Sequence, residues 1–260
     1  SFHGRTIGAL SVGSNKKYKT DIGPVPGKVK FCKFNDVSHL KKLVNKKTIA
    51  IIIEFIQGDG GINICSKTFA KAIKDICKNK KILLIGDEIQ GGIGRTGKIF
   101  AYKHYGVNPD IITSAKGLGS GIPIGATIVK KYISNIISTG FHGSTFGGGM
   151  LQTRVSYNVL KSINTKSFLN KVLINGKLLS SLLRKIHDNH KDKIVDTRCL
   201  GLMAGIEFKN DEIALKTYNK MARNGLISTL IQGKIIRLTP PLIVSKIEIN
   251  KAILIVAKSL

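Results

Sequence analysis

Five short segments contain residue types whose spacing could support chemistry. Asp87-Glu88-Ile89-Gln90 follows the apolar run KILLIG directly. A carboxylate at the C-terminal end of a parallel strand lies where α/β proteins bind ligands. A helix N-cap is the structural alternative at Asp87, because Asp accepts orphan backbone N–H groups there. Ser114-Ala115-Lys116-Gly117-Leu118-Gly119-Ser120-Gly121 places a lysine just past a second apolar run. Most of the 35 lysines are expected to be solvated, but one at the end of a buried strand meets the desolvation that favours a neutral, nucleophilic amine. The alternate glycines would let a backbone or a ligand approach closely. Phe141-His142-Gly143-Ser144-Thr145-Phe146-Gly147-Gly148-Gly149 offers hydroxyls and bare N–H groups that can hold a phosphate, or else forms a surface loop. Arg237 interrupts the apolar run IIRL, so it either pairs with an internal carboxylate or binds an anionic ligand. Arg5, in Phe2-His3-Gly4-Arg5, is a second candidate of that kind.

The Gly92–Gly97 stretch, GIGRTG, matches the dinucleotide fingerprint only as letters. DEIQ separates it from the preceding strand, and Asp110, at about the right distance, begins a strand instead of ending one, so a dinucleotide site is not expected.

The elements that position these residues alternate. Continuous β-branched or apolar runs predict a buried parallel strand at Thr48–Glu54, a second buried strand at Lys81–Gly86, and third and fourth strands at Asp110–Ser114 and Gly125–Lys130, together suggesting a parallel sheet. Lys67–Lys78 predicts a helix with Phe69, Ala72, Ile73 and Ile76 on its apolar face. Beyond residue 150, long helices are predicted at Leu151–Ile163 and Ser167–His190. Short strands follow around Leu202–Phe208 and Ile235–Thr239, with helices at Asp211–Asn224 and Lys246–Lys258. The pattern is α/β: a mostly parallel large domain over residues 1–155 and a smaller α+β domain over 156–260.

Composition narrows the class. The apolar fraction of 42% is ordinary for a globular protein, despite a formal charge of +27. Lysine supplies most of that charge alongside 39 isoleucines, a bias that fits AT-rich codons without selection for a basic surface. No specific nucleic-acid partner is expected, because arginine numbers only seven and no recognised motif is present. No apolar run is long enough for a transmembrane helix, so no membrane partner is expected. Cys32, Cys65, Cys77 and Cys199 have no metal-ligand spacing and fit a reducing, cytoplasmic setting without a zinc site.

Taken in order, SFHGRT, GP-x-P at 23–26, E-x-IQG-x-GG at 54–61, DEIQ-x-G-x-GRTG at 87–97, PDI-x-TSAKGLG-x-G at 109–121, HGSTFGG at 142–148, GLMAGIE at 201–207 and IR-x-x-PPL at 236–242 resemble the class III pyridoxal-phosphate aminotransferases of fold type I. The branch resembled most is the acetylornithine/succinyldiaminopimelate aminotransferases. The resemblance implies pyridoxal 5'-phosphate as cofactor, with Lys116 as its covalent attachment and proton shuttle. It implies that Asp87 holds the pyridine nitrogen, Gln90 lies near the ring's phenolic oxygen and Phe2 stacks on the ring. Thr145 would reach the phosphate bound by the neighbouring subunit of a homodimer, with Ser144 beside the substrate. Arg5 and Arg237 would bind substrate carboxylates, and Glu54 would pair with Arg237 between substrates. The implied reaction moves an amino group from N-acetylornithine or N-succinyl-LL-2,6-diaminopimelate to 2-oxoglutarate, in arginine or lysine biosynthesis. Ornithine or 4-aminobutyrate are the alternative donors. An inactive remnant with a scaffold role is the alternative of a different class, since the family's N-terminal phosphate-binding turn is missing from these residues.

The chain departs from the family pattern at several places. Phe55 stands where proline is usual, Asp59 where glutamate is common, and Gly149-Met150 replace Asn-Pro. Gly86 replaces a bulkier residue and is predicted to loosen the strand that presents Asp87.

Overall fold

The computed structural model describes residues 1–260. In chain order it forms α1 (Ile7–Val12), α2 (Val37–Leu43), β1 (Ala50–Ile53), the two-residue strands β2 (Ile56–Gln57) and β3 (Asn63–Ile64), α3 (Lys67–Lys80) and β4 (Leu83–Asp87). Next come β5 (Ile111–Ser114), β6 (Ala126–Val129), α4 (Lys131–Ser134) and α5 (Met150–Ile163). The chain ends with α6 (Lys166–Asn189), β7 (Ile194–Leu200), β8 (Met203–Phe208), α7 (Asp211–Arg223), β9 (Thr229–Ile231), β10 (Ile235–Leu238) and α8 (Lys246–Ser259). Its contacts divide it into two units. The first contains residues 1–56, 65–93 and 100–162, and the second contains 57–64, 94–99 and 163–260.

In the first unit the four predicted strands make one sheet in the order β1-β4-β5-β6. β1, β4 and β5 are parallel, with Ile53 opposite Gly86 and Asp87 opposite Thr113. β6 closes the sheet antiparallel to β5. α3 is the connection between β1 and β4. It starts at Ser66, whose hydroxyl accepts from Phe69 N–H at 3.1 Å, and ends at Lys81 in the left-handed conformation. Its buried face is Phe69, Ala70, Ile73 and Cys77. That corrects the expected stripe: Ala72 and Ile76 flank the interface half-buried, because the helix is rotated by about one residue.

The expected effect of Gly86 is also corrected. A Cβ there would stand 3.0 Å from Pro109 Cγ and 3.7 Å from Phe55 Cε2. Phe55 is 1% exposed and stacks on Tyr105 with ring centroids 5.3 Å apart. Pro109 closes the space in front of Gly86, with Phe55 at ordinary contact distance beside it, so β4 stays packed there.

In the second unit an antiparallel sheet, ordered β7-β8-β10-β9, packs with α6, α7 and α8. Leu179, Leu183, Ile206, Phe208, Ile236 and Val256 are part of its core. β8 is central and buried on both faces, and Arg237 on β10 lies opposite Gly205. β7 and β9 were not anticipated. β7 reads IVDTRCL, with Asp196 and Arg198 interrupting its apolar pattern, and it bulges between Ile194 and Asp196. β9 has only three residues. Residues 94–99 join this unit through Arg95, which donates to the carbonyls of Leu202 at 3.0 Å and Pro240 at 2.5 Å. Burial pulls its guanidinium down to about 10. No helix in the chain is long and apolar enough to cross a membrane.

Candidate active site

Fifteen acidic residues are available, yet the buried ones are only Glu54, Asp87 and Glu88. All three lie in the first unit, at or just past the C-terminal ends of neighbouring parallel strands, Glu54 after β1 and Asp87-Glu88 at the end of β4. Burying a carboxylate is costly unless hydrogen bonds hold it, so each must be accounted for.

Asp87 receives two contacts. Its Oδ2 lies 2.7 Å from His3 Nδ1, and its Oδ1 accepts from Ile89 N–H at 3.0 Å. The second contact is the local turn expected of an Asp in this position. The first joins residues 84 positions apart, and the two side chains are each 4% exposed. Glu54 accepts from Phe2 N–H at 3.0 Å. Its carboxyl is pushed above the usual range chiefly by burial and further by nearby Asp87, against the opposing pull of that N–H and of His3. Phe2, His3, Glu54 and Asp87 therefore form one cluster.

Glu88 faces a different set of groups. Its two oxygens accept from Ala101 N–H at 2.6 Å and Tyr102 N–H at 2.9 Å, the first turn of a 3-10 segment over Ala101–His104. Burial pushes its carboxyl up to about 7, with Asp87 adding to the rise. It fixes the segment that follows the GRTG turn to the end of β4. Gly92–Gly97 forms that turn and opens no helix, which agrees with the exclusion of a dinucleotide site.

Lys116 follows β5 by two residues, and β5 pairs with β4 so that Thr113 opposes Asp87. The register puts the lysine three residues beyond the partner of the buried carboxylate. Its side chain is exposed, which corrects the expectation that strand burial desolvates it. The chain leaves the sheet at Ala115 and turns into a 3-10 segment, where Lys116 has φ +49°. The neighbouring glycine serves this turn: a Cβ on Gly119 would collide with the Ile122 carbonyl, so the close approach there is the chain's own. Just before the lysine, Thr113 Oγ1 and Ser114 Oγ are buried without a hydrogen-bond partner.

The other predicted residues lie as follows. Gln90 is half-buried in the turn after β4. Arg5 is exposed, with its guanidinium carbon 4.2 Å from the centroid of the Tyr18 ring. Ser144 and Thr145 stand in an exposed turn, where the Ser144 carbonyl accepts from Gly147 N–H at 3.0 Å. In the second unit, Arg237 Nη1 lies 3.3 Å from Oδ1 of Asp59, a partly exposed carboxylate. Residue type and spacing alone give no role to His3 or Tyr18. The signal for His3 was its place between two candidates in SFHGR.

The thiols of buried Cys65 and Cys77 and of half-buried Cys199 are poor nucleophiles, since desolvation pushes each up to about 12.

The donor set fits pyridoxal phosphate. A buried carboxylate suits a ring nitrogen that must stay protonated. An amine emerges from the adjacent strand, and buried hydroxyls beside it have hydrogen-bonding capacity unspent.

Comparison with known proteins agrees. The family model described as aminotransferase class-III matches residues 1–260. An acetylornithine aminotransferase of Methanocaldococcus jannaschii is 40% identical over 255 residues, covering 97% of this chain and 63% of the relative. An acetylornithine/succinyldiaminopimelate aminotransferase of Buchnera aphidicola is also 40% identical, over 251 residues, covering 96% of this chain and 61% of the relative. The chain thus spans somewhat under two thirds of the length of these relatives. Among solved structures, the ornithine aminotransferase of Toxoplasma gondii, described with partial occupancy of PLP at its active site, superposes with a TM-score of 0.93 at 30% identity. That match covers 98% of this chain and 61% of the other. The matching family model, the relatives and the fold all place this chain in the class III aminotransferases, a family dependent on pyridoxal phosphate.

Proposed function

We propose that the chain contributes the catalytic core of an aminotransferase that moves an amino group between N-acetylornithine, or N-succinyl-LL-2,6-diaminopimelate, and 2-oxoglutarate. The observation that carries this reading is the pairing of Asp87, buried and bound to His3, with a neighbouring strand that delivers Lys116 three residues past its register partner. When bound, the cofactor would supply an electron sink for the bonding electrons left on the carbon that bears the transferred amino group when its proton is removed. Lys116 is the amine that holds the cofactor and then carries the proton to and from that carbon. Asp87 keeps the ring nitrogen protonated, with His3 fixing its orientation. Phe2 covers the ring face and Gln90 meets the phenolic oxygen. Arg5 and Arg237 are each proposed as an anchor for a carboxylate of the glutamate/2-oxoglutarate pair, and Glu54 is proposed to serve the substrate site. Ser144 and Thr145, exposed here, are proposed to serve the site of a second subunit in a homodimer. The proposed domains are 1–155 and 156–260, and four unpaired cysteines support a cytoplasmic setting.

A second reading, ornithine as donor, is favoured by the structural likeness to the Toxoplasma gondii ornithine aminotransferase. The test adds pyridoxal phosphate to the whole protein, reduces with borohydride and maps the labelled peptide. Label on Lys116, lost in Lys116→Ala, is the expected result. Label elsewhere, or transamination surviving in Lys116→Ala, refutes the assignment. Rates with acetylornithine, succinyldiaminopimelate, ornithine and 4-aminobutyrate then rank the donors.

A further inference from the structure

Arg5 differs from Arg237, the other arginine in the proposed chemistry: no carboxylate of the chain lies within ion-pair distance of it. An exposed arginine without a partner would ordinarily sample many rotamers, and ordering it would weaken any ligand it binds. Here the guanidinium is held from one side. Its carbon lies 4.2 Å from the centroid of the Tyr18 ring and 5.9 Å from that of Phe2. The Tyr18 and Phe2 rings themselves meet edge to face, 6.1 Å apart at 74°. The backbone supports the arrangement. Ser14 N–H donates to the Ser1 carbonyl at 3.1 Å, which brings the segment bearing Phe2 and Arg5 beside the one bearing Tyr18. Tyr18 ends a 3-10 turn, over Lys16–Tyr18, started by the Asn15 side chain, which accepts from Lys17 N–H at 3.0 Å.

We propose that Tyr18 is a positioning residue for Arg5, holding its guanidinium ready for a substrate carboxylate. Stacking occupies the face of the guanidinium, whereas its N–H fork lies in the plane, so both interactions are made at once. The same ring touches Phe2 and couples the carboxylate anchor to the residue proposed to cover the cofactor. The proposal rests on the reading of Arg5 as a carboxylate anchor, and the experiment separates the two.

The probe is glutarate, a dicarboxylate without an amino group, titrated calorimetrically into the whole protein and its variants. Tyr18→Phe keeps the ring and is expected to bind within about twofold of the unsubstituted chain. Tyr18→Leu is expected to raise the Kd by roughly threefold to fivefold, the range of an exposed cation–π contact. Arg5→Gln is expected to raise it by about tenfold or more, and adding Tyr18→Leu to Arg5→Gln should raise it no further. That non-additivity is what a merely structural tyrosine would not produce. Arg5→Lys keeps the charge but not the planar stack, so it is expected to weaken binding as Tyr18→Leu does, and it tests the idea even where Tyr18→Leu does not fold. Tyr18→Leu binding like Tyr18→Phe, an additive double variant, or unweakened binding by Arg5→Lys each overturns the role of Tyr18 while leaving Arg5 an anchor. Glutarate binding unaffected by Arg5→Gln, or absent from the unsubstituted chain, overturns the anchor itself.

Discussion

Glu88→Gln should change how the stability of this protein depends on pH, and the structure sets the sign and the size. The Glu88 side chain is fully buried, and its oxygens accept from Ala101 and Tyr102 N–H. Burial is the larger influence, and it lifts the carboxyl from 4.5 to about 7. A native-state value above the unfolded one means that the folded protein keeps a proton the unfolded chain has released. The stabilisation is therefore full below pH 4.5, is lost as pH rises towards 7, and is gone above that. The rise corresponds to about 3 kcal/mol across this window. Glutamine cannot ionise, so it removes the dependence. Its single carbonyl oxygen accepts one of the two N–H groups and leaves the other facing an amide NH2, at a cost of about 1–3 kcal/mol at every pH. Urea unfolding at half-unit steps from pH 4 to pH 8, followed by far-UV circular dichroism because the chain has no Trp, gives both curves. The variant should be the less stable protein at pH 4 and should gain about 3 kcal/mol on the parent by pH 8. Parallel curves would show that burial does not dominate at Glu88. A variant that falls further behind as pH rises would show that the two N–H groups hold the carboxylate ionised.

Two further outcomes concern the strand that carries Asp87. Gly86→Val places atoms against Pro109 and should cost about 1–3 kcal/mol, part of which Pro109→Ala should restore; additive losses in a double-mutant cycle would refute the crowding at Pro109. His3→Leu leaves buried Asp87 with the Ile89 N–H as its remaining partner and should cost about 3 kcal/mol in urea unfolding, together with a loss of pyridoxal phosphate affinity in a fluorescence titration. Unaltered affinity would show that His3 serves the fold and not the cofactor.

The amino-acid order alone identified the four strands of the first sheet, most of the helices and the candidate residues, but not that β6 runs antiparallel to β5. These signals are local: β-branched runs, helical periodicity and glycine punctuation survive without knowledge of the partner. The strands β7 and β9 escaped because one carries Asp196 and Arg198 and the other has three residues, so each is a strand through pairing with β8 and β10 instead of through composition. The same distinction applies to α3, where the periodicity identified a helix but only its packing selected Ala70 and Cys77 over Ala72 and Ile76.

At the candidate site, residue type and order singled out Asp87, Lys116, Arg5 and Arg237. Tertiary structure decided what each one meets. It set His3 against Asp87 across 84 positions, Tyr18 against Arg5, Asp59 against Arg237, and Pro109 against Gly86. It also left Lys116 exposed at a point where the strand before it is buried. The physical reason is the same throughout. Propensity and patterning act within a few residues, whereas burial, pairing of charges and filling of volume depend on chain segments brought together only by the fold.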